Sequence, residues 1–262
     1  MAKTKLLNAI QSVNTQGDKA FVAYIMAGDG GLETLKSKIF FLQQAGVTAI
    51  ELGIPFSDPV ADGPTIQEAG ERALANGATL RSILQELETF YEEVRVPLVL
   101  MTYYNPLLSY GLEQFAQQCE KLGIAGLIVP DVPLEETIEL HGVLENTDIA
   151  LVPLVSLTSP PERLRKIAVS GEGFIYAVTV NGITGIRDGF SDQLEQHFTS
   201  LSEQSAIPVL AGFGISTPEQ VKSMGTLADG VIVGSAIVEA FHQNDLDHIT
   251  ALVQASKAKV FN

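Results

Sequence analysis

FVAYIMAGDGGLETLKSKIFFLQQAGVTAIEL, residues 21–52, is the stretch that decides the fold. It opens on an apolar β-type run, Phe21–Met26. Leu32, Leu35, Ile39 and Leu42 then recur at helical spacing, and Gly46 ends that element. A second apolar run, Ala49–Leu52, follows. Short runs that are apolar on both faces are typical of parallel strands covered by helices. The unit therefore reads as strand, crossover helix, parallel strand.

The same alternation extends to the end of the chain. Further strand candidates are Leu98–Thr102, Gly126–Val129, Ile149–Val152, Phe174–Val178, Pro208–Ala211 and Gly230–Val233. Between them, Leu80, Ile83, Leu84 and Leu87 form a helical face, as do Leu112, Phe115, Ala116 and Cys119. Pro161 and Pro218 sit where a first-turn proline starts a helix, with Thr217 as the N-cap before Pro218. About eight strand–helix units in roughly 250 residues predict an α/β chain folded as a (β/α)8 TIM barrel. A doubly wound open sheet is the rival, because its local pattern is the same. Thr65–Ala75 reads as an inserted helix in the second βα loop, and Leu6–Val13 as an extra N-terminal helix capping the barrel floor. No linker or low-complexity segment divides residues 1–262, so a single domain is expected.

The chain has 262 residues, with 31 acidic against 16 basic, a net charge of −15. With 46% hydrophobic and 18% charged residues, a disordered chain is excluded. So acidic a chain is a poor ligand for nucleic acid or anionic membrane, which reward basic surface. The single cysteine, Cys119, can form neither an internal disulfide nor a thiolate zinc cluster. No signal peptide is visible, and no apolar segment approaches the roughly 18 residues of a membrane span. A soluble, cytoplasmic protein is expected.

In a βα barrel the chemistry lies at the C-terminal ends of the strands. After the second strand come Glu51, Asp58 and Asp62, in a loop stiffened by Pro55, Pro59 and Pro64. Strand side chains alternate, so if Ile50 and Leu52 pack on helices, Glu51 points into the barrel mouth. A carboxylate there is costly unless paired or protonated, which makes it a general acid/base candidate. The alternative is a structural glutamate bonded across the barrel. Asp58 and Asp62 can each also be plain turn residues.

The later loops read together as a phosphate site. They are Asn181-Gly-Ile-Thr184-Gly185, Gly212-Phe213-Gly214-Ile215-Ser216 and Gly234-Ser235. Glycines let backbone N–H groups approach an anion, and Gly234-Ser235 opens a helix whose dipole favours negative charge. Taken singly, each is an ordinary turn glycine. Only Arg187 is a nearby base, so the anion would be held largely by dipoles. No lysine falls at a predicted strand end, which argues against a Schiff base, and the histidines fall in helical or terminal segments, which argues against a metal site at the mouth.

The run Glu51-Leu-Gly-Ile-Pro-Phe-Ser-Asp-Pro-Val-Ala-Asp-Gly-Pro-Thr-Ile-Gln67 resembles the signature of the tryptophan synthase α-subunit family. Ala27-Gly28-Asp29, Asp131-Val-Pro133, Asn181–Gly185, Gly212–Ile215 and Gly234–Ile237 support it in family order, over essentially the whole chain. The resemblance implies a carbon–carbon lyase that cleaves indole-3-glycerol phosphate to indole and glyceraldehyde 3-phosphate, without metal or organic cofactor. It implies Glu51 as the catalytic acid/base, Asp62 as the catalytic aspartate and Tyr176 as an active-site tyrosine. Thr184, Gly185, Gly214, Gly234 and Ser235 would fall on the phosphate loops. Tyr24, Met101, Ile128 and Phe213 would line the indole pocket. The chemistry is consistent: indole C3 must gain a proton and the side-chain hydroxyl must lose one, which one switching carboxyl can do. An ionised Asp62 near the ring N–H would stabilise the cationic ring. Loops after strands two and six would exclude water.

The family further implies a β subunit carrying pyridoxal phosphate, in an αββα assembly, with Pro55, Asp58 and Asn105 facing it. On spacing alone these three are turn residues. The chain departs from the family pattern at Gly30, where proline is frequent, at Tyr24, where phenylalanine is common, and at Val180, where some members have a base. Two rivals remain: another phosphosugar enzyme on the same barrel, or a non-catalytic activating subunit. Indole-glycerol-phosphate synthase would need strand-end lysines, and a mere activator would have no use for a Glu51/Asp62 pair.

Overall fold

A computed structural model describes residues 3–156, 159–178, 188–212 and 214–258. Its strands are β1 (Ala20–Met26), β2 (Ala49–Gly53), β3 (Leu98–Met101), β4 (Gly126–Ile128), β5 (Ala150–Leu151), β6 (Leu154–Ser156), β7 (Ile175–Val178), β8 (Val209–Gly212) and β9 (Gly230–Val233). Its α-helices are α1 (Lys5–Thr15), α2 (Leu35–Ala45), α3 (Pro64–Ala75), α4 (Leu80–Glu88), α5 (Tyr104–Tyr110), α6 (Leu112–Lys121), α7 (Ile138–Leu144), α8 (Pro161–Ser170), α9 (Asp188–Gln204), α10 (Pro218–Leu227), α11 (Ser235–Gln243) and α12 (Leu246–Gln254).

Every described strand pair is parallel, and the order is β5-β4-β3-β2-β1-β9-β8-β7-β6. The two ends of this order, β5 and β6, are joined by only Val152 and Pro153. The sheet therefore curls round on itself as a TIM barrel, and the open doubly wound alternative is excluded. The expected fifth strand, Ile149–Val152, contains β5, and an unexpected strand, β6, follows it after Pro153. Pro153 has no N–H to give to a ladder, so the strand changes partners there. Ala150 and Leu151 pair with β4, and Val152 donates to the Leu127 carbonyl at 2.9 Å. The Pro153 carbonyl accepts from Tyr176 at 3.0 Å, and Leu154–Ser156 then pair with β7.

Two apolar layers follow from strand alternation. Phe21, Ala23, Ile25, Ile50, Leu52 and Leu100 pack outward against helical residues such as Leu35, Ile39 and Leu42. Ala20, Val22, Ala49, Val99, Phe174, Tyr176 and Leu210 fill the interior with Leu6 and Ile10 of α1. Helix α1 thus closes the floor as expected, its Leu6 lying against Gly126 and Gly173, where any side chain would crowd it. The inserted helix is α3, begun by Pro64 at its first turn. Thr217 caps α10 reciprocally with Gln220, as its position predicts. Helix α5, in the third βα loop, had no periodicity to announce it because it is only seven residues long.

Candidate active site

Glu51 lies on the interior face of β2, in register with Tyr24 of β1 and Val99 of β3. Its neighbours Ile50 and Leu52 pack outward, as the alternation requires. Glu51 is 1% exposed, and neither carboxylate oxygen has a hydrogen-bond partner among the described residues. An unpaired buried carboxylate cannot stay charged cheaply. Burial first, and the charge of Asp62 second, push its pKa up to about 8. No cross-barrel hydrogen bond of a structural glutamate is present among the described residues.

Asp62 is held at both main-chain ends. Its N–H donates to the Pro59 carbonyl at 3.1 Å, and its carbonyl accepts from Gln67 Nε2 at 2.8 Å. The Tyr103 hydroxyl bonds to its carboxylate and accepts the Ala61 N–H at 3.0 Å. Burial raises the Asp62 pKa to about 6, and the Tyr103 bond restrains the rise. Tyr103 was not among the residues expected at the site. It lies two residues past the end of β3, so its strand-end position was the available signal. Its ring, 3% exposed, packs on Phe56 with centroids 5.2 Å apart.

Two tyrosines complete the chamber, each made possible by a glycine. A Cβ on Gly53 would overlap the hydroxyl of Tyr24, and one on Gly212 would overlap the ring of Tyr176. Both phenols are buried, and burial raises their pKa values, with Glu51 and Asp62 adding to the effect. Their hydroxyls are therefore neutral donors. Met101 and Ile128 are cross-strand partners in register with Gly53, nearer the strand ends than Glu51. Ile128 is buried inside the barrel and Met101 half-buried beside it.

Of the expected phosphate residues, Gly234 is the N-cap of α11, which begins at Ser235. Gly214 has φ 75°, a left-handed conformation suited to glycine. Thr184, Gly185 and Phe213 lie outside the described residues, as do Val180 and Arg187. The first loop, with Gly30, is clamped by Asp29: Arg72 of α3 binds its carboxylate at 2.7 and 2.9 Å. Asp58 and Asn105 are exposed, whereas Pro55 is buried against its own chain. The same loop side presents Val60 and Leu108, which are large, apolar and exposed. Among the described residues no group of three His, Cys, Asp or Glu could hold a metal ion, and no helix is long and apolar enough to cross a membrane.

The family model described as tryptophan synthase alpha chain matches residues 10–261. A tryptophan synthase alpha chain of Bacillus thuringiensis subsp. konkukian is 50% identical over 250 residues, covering 95% of this chain and 97% of that one. Among solved structures, the tryptophan synthase subunit alpha of Legionella pneumophila is 33% identical with a TM-score of 0.86, covering 97% of this chain and 98% of its own. Tryptophan synthase from Mycobacterium tuberculosis, in a ligand-free form, is 32% identical with a TM-score of 0.85, covering 96% of each chain.

Proposed function

Because this chain belongs to the tryptophan synthase alpha chain family, a family of lyases, we propose that it performs the alpha reaction by cleaving indole-3-glycerol phosphate to indole and glyceraldehyde 3-phosphate. The observation that carries the reading is the pair of carboxyls with separated titrations, Glu51 at about 8 and Asp62 at about 6. At neutral pH such a pair holds one proton, on Glu51, while Asp62 is ionised. Glu51 donates that proton to indole C3, and as a carboxylate it then takes the proton of the side-chain hydroxyl as the carbon–carbon bond breaks. Asp62 faces the ring N–H and stabilises the cationic ring. Tyr176, on β7 across the barrel from β2, faces the same interior as Glu51 and orients the glycerol chain. This chain needs no cofactor for these steps. The pyridoxal phosphate would belong to a β subunit, met by the exposed Asp58, Asn105, Val60 and Leu108 in an αββα assembly.

The pH dependence has a definite sign. The acid Glu51 loses its proton as pH rises through about 8, and Asp62 loses its charge as pH falls through about 6. Indole release from the purified chain, with and without a β subunit, should therefore show a bell in kcat/KM between those limits. No indole in either case would favour a purely activating role.

The phosphate is assigned to Gly214, Gly234 and Ser235 with Thr184 and Gly185, so a net charge of −15 is overcome locally by backbone N–H groups and the start of α11. Gly234→Asp should raise KM at least about tenfold by setting a carboxylate against the anion. An exposed change such as Gln11→Glu, on the far floor helix, should leave KM within about twofold. Equal effects would show that the phosphate binds elsewhere.

A further inference from the structure

Tyr24 stands in the wall of the chamber with its phenol lying over Gly53 and its base beside Gly234, where a Cβ would come 3.7 Å from Tyr24 Cβ. It therefore spans from the side of Glu51, its cross-strand partner, to the start of α11. The residue is 5% exposed, and no described residue makes a hydrogen bond to its hydroxyl. The glycine at 53 is what admits the hydroxyl, since any side chain there would occupy the same space. Gly53 shares the interior face of β2 with Glu51, so a hydroxyl lying over it is on the chamber side of the strand rather than in the helical layer. An apolar ring leaves such a hydroxyl unsatisfied, and a ring that bears its own hydroxyl can pair with it.

We propose that the Tyr24 hydroxyl, seated over Gly53, is a specificity-determining group that makes this site favour indole rings carrying a hydroxyl on the benzenoid ring. The proposal rests on the reading of the chamber as an indole site and goes beyond it, since indole's one polar group, its N–H, faces Asp62 and leaves the Tyr24 hydroxyl without a partner on the ring. One hydrogen bond sets the size of the effect at about three- to tenfold in affinity.

The test is equilibrium binding to the full chain of indole and of each hydroxyindole with the hydroxyl on a benzenoid carbon. At least one isomer should bind about three- to tenfold tighter than indole, and Tyr24→Phe should abolish that preference while still binding indole. Gly53→Ala, which displaces the hydroxyl without removing it, should lose the same preference. Indole bound by both Tyr24 and Tyr24→Phe proteins, with the same isomer ratios, would overturn the inference alone. No binding of any ring by either folded protein would overturn the indole-site reading and the inference with it.

Discussion

Glu51→Gln abolishes indole release, lowering kcat by about 10³-fold or more, while the barrel remains folded and becomes more stable. The amide keeps the shape of the side chain but has no proton to give to indole C3 and no charge with which to take one back. The gain in stability follows from the same burial. In the folded chain the Glu51 pKa is raised from 4.5 to about 8, so the folded state prefers the protonated form. A raised pKa leaves stability untouched below the unfolded value and costs stability progressively as pH rises towards the folded one. Glutamine removes that cost. Thermal unfolding of the two proteins should therefore coincide near pH 4 and diverge in favour of the variant as pH rises towards about 8. Near-normal turnover in the variant would sink the acid/base role. A variant no more stable at alkaline pH would mean that Glu51 is solvated or paired in solution.

Asp62→Asn should lower kcat by about 10²- to 10³-fold with little change in KM, the scale of a lost electrostatic stabiliser at a developing charge. The isostere still accepts the Tyr103 bond, so the loop keeps its anchor and only the charge is lost. Two shifts in the pH profile accompany the loss. The acid limb near 6 disappears, because no carboxylate remains to be protonated there. The alkaline limb moves below about 8, because the negative charge that helps raise the Glu51 pKa is gone. A profile identical to wild type would remove Asp62 from the chemistry.

Much of the barrel was legible residue by residue. The alternation seen at Phe21–Leu52 placed strands within one or two residues, because parallel strands buried on both faces leave runs too apolar to mistake. Strand five was placed, but its continuation past Pro153 as β6 was not, because a proline at 153 does not say which neighbour the next residues will join. The inward aim of Glu51 was legible from its odd–even relation to Ile50 and Leu52. Tyr103 was not, because its partner Asp62 lies 41 residues earlier and only folding brings them together. Pro55 is buried where Asp58 and Asn105 are exposed, a distinction that spacing in a proline-rich loop does not carry.

The charge of −15 and the glycine-rich strand ends were plain from composition and order, and with them the expectation that the proposed phosphate is held by backbone rather than by bases. Residue order by itself also determined the alternating α/β units and the faces of their strands, because periodicity is a local property of the chain, whereas closure into a barrel rather than an open sheet was decided by the strand order. Only the tertiary structure decided the titrations of Glu51 and Asp62, the anchoring of Asp62 by Tyr103 and the seat of Tyr24 over Gly53. Each depends on what surrounds a group after burial, and burial is a property of distant segments meeting.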